Sequence, residues 1–179
     1  FTAIGRMSNS IAGRLIATTY LEIIRNTPLL VQLFMFYFVL APIFEIERFW
    51  AGVLCLAAFE GSFAAEIIRG GIQAVERGQY EAADATGLSK FDKYRYVIVP
   101  QALPLILPPL TGLLISLIKH SAIVSVIAVA ELTTEGLNLI SDTYMAFEIW
   151  FIVAGMYLVL TTSLSVLVNI LEVRMNKAR

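Results

Sequence analysis

Apolar runs about as long as a bilayer is thick alternate along this chain with short stretches that hold most of its charge. A helix needs about 20 mostly apolar residues to cross the hydrocarbon core. Four segments come close: TPLLVQLFMFYFVLAPIF at 27–44, FWAGVLCLAAFEGSFAAEII at 49–68, VIVPQALPLILPPLTGLLISLI at 97–118 and FEIWFIVAGMYLVLTTSLSVLVNIL at 147–171. After Lys119 and His120 the third is followed by a further apolar run, SAIVSVIAVA. A soluble core would need polar faces to meet water, and these stretches have too few. The pattern predicts an all-α, polytopic helical membrane protein with four visible spans, forming one transmembrane domain over 1–179. Thr27 is the expected N-cap of the first span, with Pro28 as its first helical residue.

Composition agrees. Hydrophobic residues make up 58% of the chain and charged ones 15%, against about 25% charged in soluble domains. A net charge of −1 argues against a nucleic-acid partner. Cys55 is the one cysteine, so it forms no internal disulfide, and it reads as a small packing residue.

Basic residues accumulate on the cytoplasmic side of a membrane. If the spans alternate, 11 of the 13 Lys and Arg residues fall on one side. Glu45, Glu47, Glu131, Glu135, Asp142 and Glu148 fall on the other. Spans one and three therefore run outward, spans two and four inward. The C-terminus and the loop at about 72–96 are placed in the cytoplasm.

That loop is organised. VERGQYEAADATG reads as a short helix closed by Gly87, the residue suited to the left-handed position after a helix end. Ser89 opens the next helix with Asp92 three residues on, an acidic variant of the capping box. Ala82, Ala83 and Ala85 give the short helix a face without bulk, and Glu81 and Asp84 put carboxylates at its rim. A soluble partner can grip such a helix; the plain alternative is a solvated connection.

The segment resembles the EAA motif of bacterial ABC importer permeases, which reads EAA, three residues, Gly, nine residues, then Ile-x-Leu-Pro. Here it comprises Glu81, Ala82, Ala83 and Gly87, then Val97, Val99 and Pro100, with valine in place of isoleucine and of leucine. RNTPLLVQLF, PQALPLILPP and SLIKHSAIVSVIAVAELT are similar to the polar amino acid permeases of the histidine/glutamine type. The resemblance implies a type I importer permease for polar L-amino acids in the bacterial inner membrane. It also implies that Tyr80, Glu81, Ala82, Ala83, Asp84 and Gly87 form a coupling helix seated in a cytoplasmic ATPase dimer. ATP and magnesium would be bound by that ATPase, leaving this chain without a cofactor of its own. The remaining implied partners are a second permease subunit, the same or related, an external amino-acid-binding protein and the lipid bilayer. Such permeases usually have five spans, so the first is expected upstream of Phe1.

Ionisable groups inside spans cost roughly 2.5–3.5 kcal/mol on insertion scales and point to function. Glu66 and Arg69 are three apart and can pair, a structural role. Glu60 lies near the middle of the second span, either as a packing residue or as a wall of the solute path attracting an amino group. Lys119 and His120 follow a run holding Pro100, Pro104, Pro108 and Pro109, which allow bends where helices line a cavity. His120 serves there as a neutral hydrogen-bonding group, as a cation when protonated, or as an interface residue. Ser62, Ser116 and Ser121 complete the candidates for the pathway, chosen by depth and polarity. Lys119 and Glu60 favour opposite solute charges. An intramembrane protease would need HExxH, paired aspartates or a serine motif with histidine, and none is present; nor is a P-loop. A permease for methionine or an organic anion, or a non-transporting structural subunit, is the alternative reading.

Overall fold

A computed structural model of the protein describes residues 11–177, with side chains described as far as Ile170. All regular elements among the described residues are helical. We number them α1 (Ile11–Asn26), α2 (Leu29–Phe44), α3 (Arg48–Gln73), α4 (Arg77–Ala85), α5 (Lys90–Ile127), α6 (Leu132–Thr143) and α7 (Ala146–Lys177). Helix α2 is π-helical over Met35–Leu40 and α5 over Lys93–Ile98, and α5 ends in a 3₁₀ stretch, Ala122–Ile127. Helices α3 and α5, with Ala146–Ile170 of α7, are long and apolar enough to cross a membrane. Large apolar side chains such as Phe151 and Leu158 stay about two-thirds exposed, a surface that suits lipid and not water. This is an integral membrane protein.

The first expected span is modified. Residues 29–44 reach the required length and apolarity only together with α1, from which they are broken at Thr27 and Pro28. Pro28, not Thr27, is the N-cap, with φ −63° and ψ 137°, and Leu29 is the first helical residue. The Thr27 hydroxyl instead accepts from Nε2 of the buried Gln32 at 2.8 Å, and the same nitrogen donates to the Thr27 carbonyl at 3.0 Å. Gln32 has captured the group that the local pattern assigned to the helix end. The third span is longer than expected: helix α5 runs through Pro104, Pro108 and Pro109 and includes the apolar run after His120.

Two compact units are present. One comprises α1 up to Arg25 with Gly61–Leu113; its core is Ile72, Val75, Ile98, Ala102 and Ile106, with Leu21 against Ala65 nearby. Arg69 grips Glu66 with two hydrogen bonds of 3.1 and 2.8 Å, and Arg25 approaches the same carboxylate at 3.7 Å. The other comprises Asn26–Glu60 with Leu114 onward, around Leu33, Cys55, Val124, Ile127 and Val129. Cys55 is fully buried there, a packing residue.

Within this second unit Glu131 is the N-cap of α6. Its carboxylate accepts from the backbone N–H of Thr133 (2.8 Å) and Thr134 (2.7 Å), and from the hydroxyls of Thr134 (3.0 Å) and Tyr157 (2.9 Å). One carboxylate thus closes the start of α6 and ties it to α7. Losing such a cap costs about 1–2 kcal/mol. Glu131→Ala is therefore expected to lower the thermal midpoint of the purified protein in detergent, and Glu131→Gln to lower it less.

Candidate functional site

The loop after α3 is built by local rules that can be read bond by bond. Helix α4 ends at Ala85 with Thr86 as C-cap. The N–H of Gly87 then donates to the Asp84 carbonyl (3.0 Å) and that of Leu88 to the Ala83 carbonyl (3.3 Å), the two bonds of a Schellman motif. Gly87 has φ +73°, the left-handed conformation that the motif requires. Ser89 caps α5: its hydroxyl accepts from the Asp92 N–H at 3.2 Å and donates to the Asp92 carboxylate at 2.6 Å. Both capping signals in the sequence correspond to these bonds.

Side-chain directions divide the helix. Glu81, Ala82, Asp84 and Ala85 are exposed, and Glu81 accepts from the Arg77 guanidinium at 3.0 Å. Ala83 is only 4% exposed and faces its own unit. The bulk-free face therefore consists of Ala82 and Ala85, and Ala83 is withdrawn from it. A small side chain there lets α4 lie close to its own chain. Tyr80 also points inward, its hydroxyl donating to the Ile72 carbonyl at 2.9 Å. Burial pushes the Tyr80 phenol above its ordinary pKa, with Tyr94 adding to the rise.

Of the candidate pathway residues, Glu60, Ser116, Lys119, His120 and Ser121 belong to one compact unit and Ser62 to the other. In the unit of α2, α6 and α7, the structure brings Glu60 and His120 together: His120 Nδ1 lies 2.5 Å from Glu60 Oε1, and the Phe59 ring meets the imidazole edge-on at 5.8 Å. Glu60 is 7% exposed, and its second oxygen, Oε2, is enclosed with no hydrogen-bond partner among the described residues. An enclosed acceptor left unmatched costs about 1–3 kcal/mol. Lys119 is exposed and has no carboxylate within salt-bridge distance among the described residues. The Ser121 hydroxyl donates to the Ile118 carbonyl of its own helix at 2.8 Å. Ser116 is half-buried. Ser62 belongs to the other unit and is fully buried. No group of three or more His, Cys, Asp or Glu that could hold a metal occurs among the described residues.

Sequence reasoning weighed Glu60 and His120 separately and missed their pairing, because 60 residues separate them and no periodicity links them. It also missed the cap made by Glu131, a residue noted only for its charge. The signal was present in ELTT, an acidic residue just ahead of an apolar-periodic run.

Comparison with known proteins gives consistent relatives. A family model described as "Binding-protein-dependent transport system inner membrane component" matches residues 1–177. The probable glutamine ABC transporter permease protein GlnM of Bacillus subtilis is 40% identical over 91% of this chain and 76% of its own length. The glutamine transport system permease protein GlnP of Escherichia coli is 41% identical over 89% of this chain and 74% of its own length. Among solved structures, an amino acid ABC transporter crystallised with histidines superposes with a TM-score of 0.90 at 45% identity, over 97% of this chain and 82% of that one. The MetNI methionine ABC transporter in inward-facing form shares the fold, with a TM-score of 0.74 at 22% identity, over 99% of this chain and 83% of that one.

Proposed function

Because this chain belongs to the family of binding-protein-dependent transport system inner membrane components, we propose that it is the permease subunit of an ATP-driven amino acid importer in a bacterial inner membrane, its C-terminus in the cytoplasm. The observation that carries this reading is the exposed face of α4 with its glycine-terminated end, set in a chain otherwise built for lipid. The relatives are glutamine permeases and an amino acid transporter, which supports a polar amino acid as the solute.

In this reading α4 is the coupling helix. Glu81, Ala82, Asp84 and Ala85 meet a groove of a cytoplasmic ATPase dimer, and Tyr80, Ala83 and Gly87 hold the helix in the orientation that this needs. ATP and magnesium are bound by the ATPase, and the chain is a transport subunit without catalysis of its own. A second permease subunit encloses the path with it, and an external binding protein delivers the solute. Along the path, Glu60 is the strongest candidate, because it is a buried carboxylate whose Oε2 accepts no hydrogen bond from the described residues. An ammonium or other N–H group of the solute is a donor suited to that oxygen. Ser62, Ser116, Lys119, His120 and Ser121 are the remaining candidates, with His120 orienting the Glu60 carboxylate through their hydrogen bond.

The test is ATPase activity of the assembled complex in lipid, with its binding protein and a panel of amino acids. Stimulation by polar amino acids is expected, and Glu60→Gln is expected to change the preference between cationic and neutral solutes by about tenfold, or about 1.4 kcal/mol. An unchanged preference would return Glu60 to a packing role. Failure to purify with any ATPase would overturn the importer reading.

A further inference from the structure

Helix α4 carries its carboxylates outward, yet it is joined to the chain on both sides by side chains that the coupling motif does not require. The end of α3 leaves carbonyls without intrahelical partners, as all helix ends do. One of them, Ile72, accepts from the Tyr80 hydroxyl at 2.9 Å, across the turn that separates α3 from α4. On the other side, Lys93 Nζ donates to Asp84 at 2.5 Å. Gln101 Nε2 donates to Gln79 Oε1 at 3.0 Å, and that amide is steadied by a second bond to the Val97 carbonyl at 2.9 Å. Tyr80 also packs on the core of Ile72, Val75, Ile98, Ala102 and Ile106, edge-on to Tyr94 at 6.5 Å. These bonds all lie inside one compact unit.

We infer that Tyr80, Gln79, Lys93 and Gln101 are positioning residues that fasten α4 to the end of α3 and to the start of α5 at once. The inference rests on the reading of α4 as the coupling helix. Tied on one side only, a helix pushed on its exposed face would swivel about the Gly87 turn and waste the displacement. Tied on both sides, it carries the ends of two spans with it. The three ties differ in chemistry, one hydroxyl to a helix-end carbonyl, one ion pair and one amide pair, so each can be cut alone.

The experiment uses the complete transporter in liposomes and reads solute moved per ATP hydrolysed, beside the amount of assembled complex. A residue that merely supports folding lowers the amount of complex and leaves that ratio alone. Tyr80→Phe removes one hydroxyl and keeps the ring, and it is expected to lower the ratio about fivefold. Gln79→Leu should lower it likewise, and Gln79→Glu combined with Gln101→Lys, which replaces the amide pair by an ion pair, should restore it. If Tyr80→Phe fails to assemble, the half-exposed Gln79 decides the matter by the same ratio. An unchanged ratio in intact complex overturns the positioning role. Ala82→Arg, on the exposed face, separates the two ideas. If it blocks uptake while Tyr80→Phe and Gln79→Leu leave the ratio alone, only the positioning role falls. If Ala82→Arg leaves uptake and ATPase binding unchanged, the coupling-helix reading falls and the positioning role with it.

Discussion

Gly87→Val is expected to abolish ATP-driven uptake while leaving the protein inserted in the membrane. The space around Gly87 is open, with nothing within 4 Å of a Cβ built there, so bulk is not the obstacle. The backbone is. At φ +73° a residue with a side chain costs about 1–2 kcal/mol more than glycine, and a β-branched one more still. Relief requires the chain to leave the left-handed region. That breaks the bonds from Gly87 to Asp84 and from Leu88 to Ala83 and re-aims α4 against the capped start of α5. No span is touched, so insertion should survive. Asparagine tolerates this conformation, so Gly87→Asn should keep much of the uptake and Gly87→Ala an intermediate share. Labelled amino acid uptake in proteoliposomes, normalised to inserted protein, checks the series. A well-inserted Gly87→Val variant with ordinary uptake would remove α4 from the coupling role.

Gly71 should be intolerant for the opposite reason. It lies on α3 with an ordinary backbone, but a Cβ there would sit 2.2 Å from Cγ1 of Ile106 and 3.0 Å from its Cδ1. Ile106 is β-branched, stiff at χ1 and held in the core with Ile72, Val75, Ile98 and Ala102, so it cannot simply swing aside. Small residues let membrane helices approach this closely. Overpacking of this kind costs about 1–3 kcal/mol. Gly71→Ala should lower the thermal midpoint and the yield of monodisperse protein in detergent, and Gly71→Val should give little folded protein. Adding Ile106→Ala to Gly71→Ala should recover most of the loss. The neighbouring Gly70 is a control, because nothing lies within 4 Å of its would-be Cβ. Gly70→Ala is expected to be neutral or mildly stabilising, since alanine is the better helix former. Equal losses at both positions would contradict the packing described for α3.

The two adjacent glycines show how far the letters go. As text Gly70 and Gly71 are alike, and only the packing of α3 on Ile106 tells them apart. Gly87 was legible, because a glycine after a short polar helix has one common use and its bonds span at most five residues. The Ser89 cap, the Glu66–Arg69 pair and the lipid-length helices were legible on the same terms. Each is settled by the geometry of a few consecutive residues or by the apolar character of one stretch. Thr27 shows the limit of the local rule: the hydroxyl expected to cap a helix was taken by Gln32, a competitor that packing placed within reach. The letters assign Ala83 to the bulk-free face and Tyr80 to the coupling helix, yet the depth of the neighbouring core turns both inward. Glu60 and His120 are the extreme case, a carboxylate and an imidazole on separate helices whose meeting no pattern along the chain specifies. The sequence by itself determined the class of protein, its three long apolar helices and the glycine-closed loop, because hydropathy and backbone hydrogen bonding act locally. Which polar side chains meet, and which face of α4 is free, was decided by tertiary packing, because both depend on distances between residues that the chain itself holds far apart.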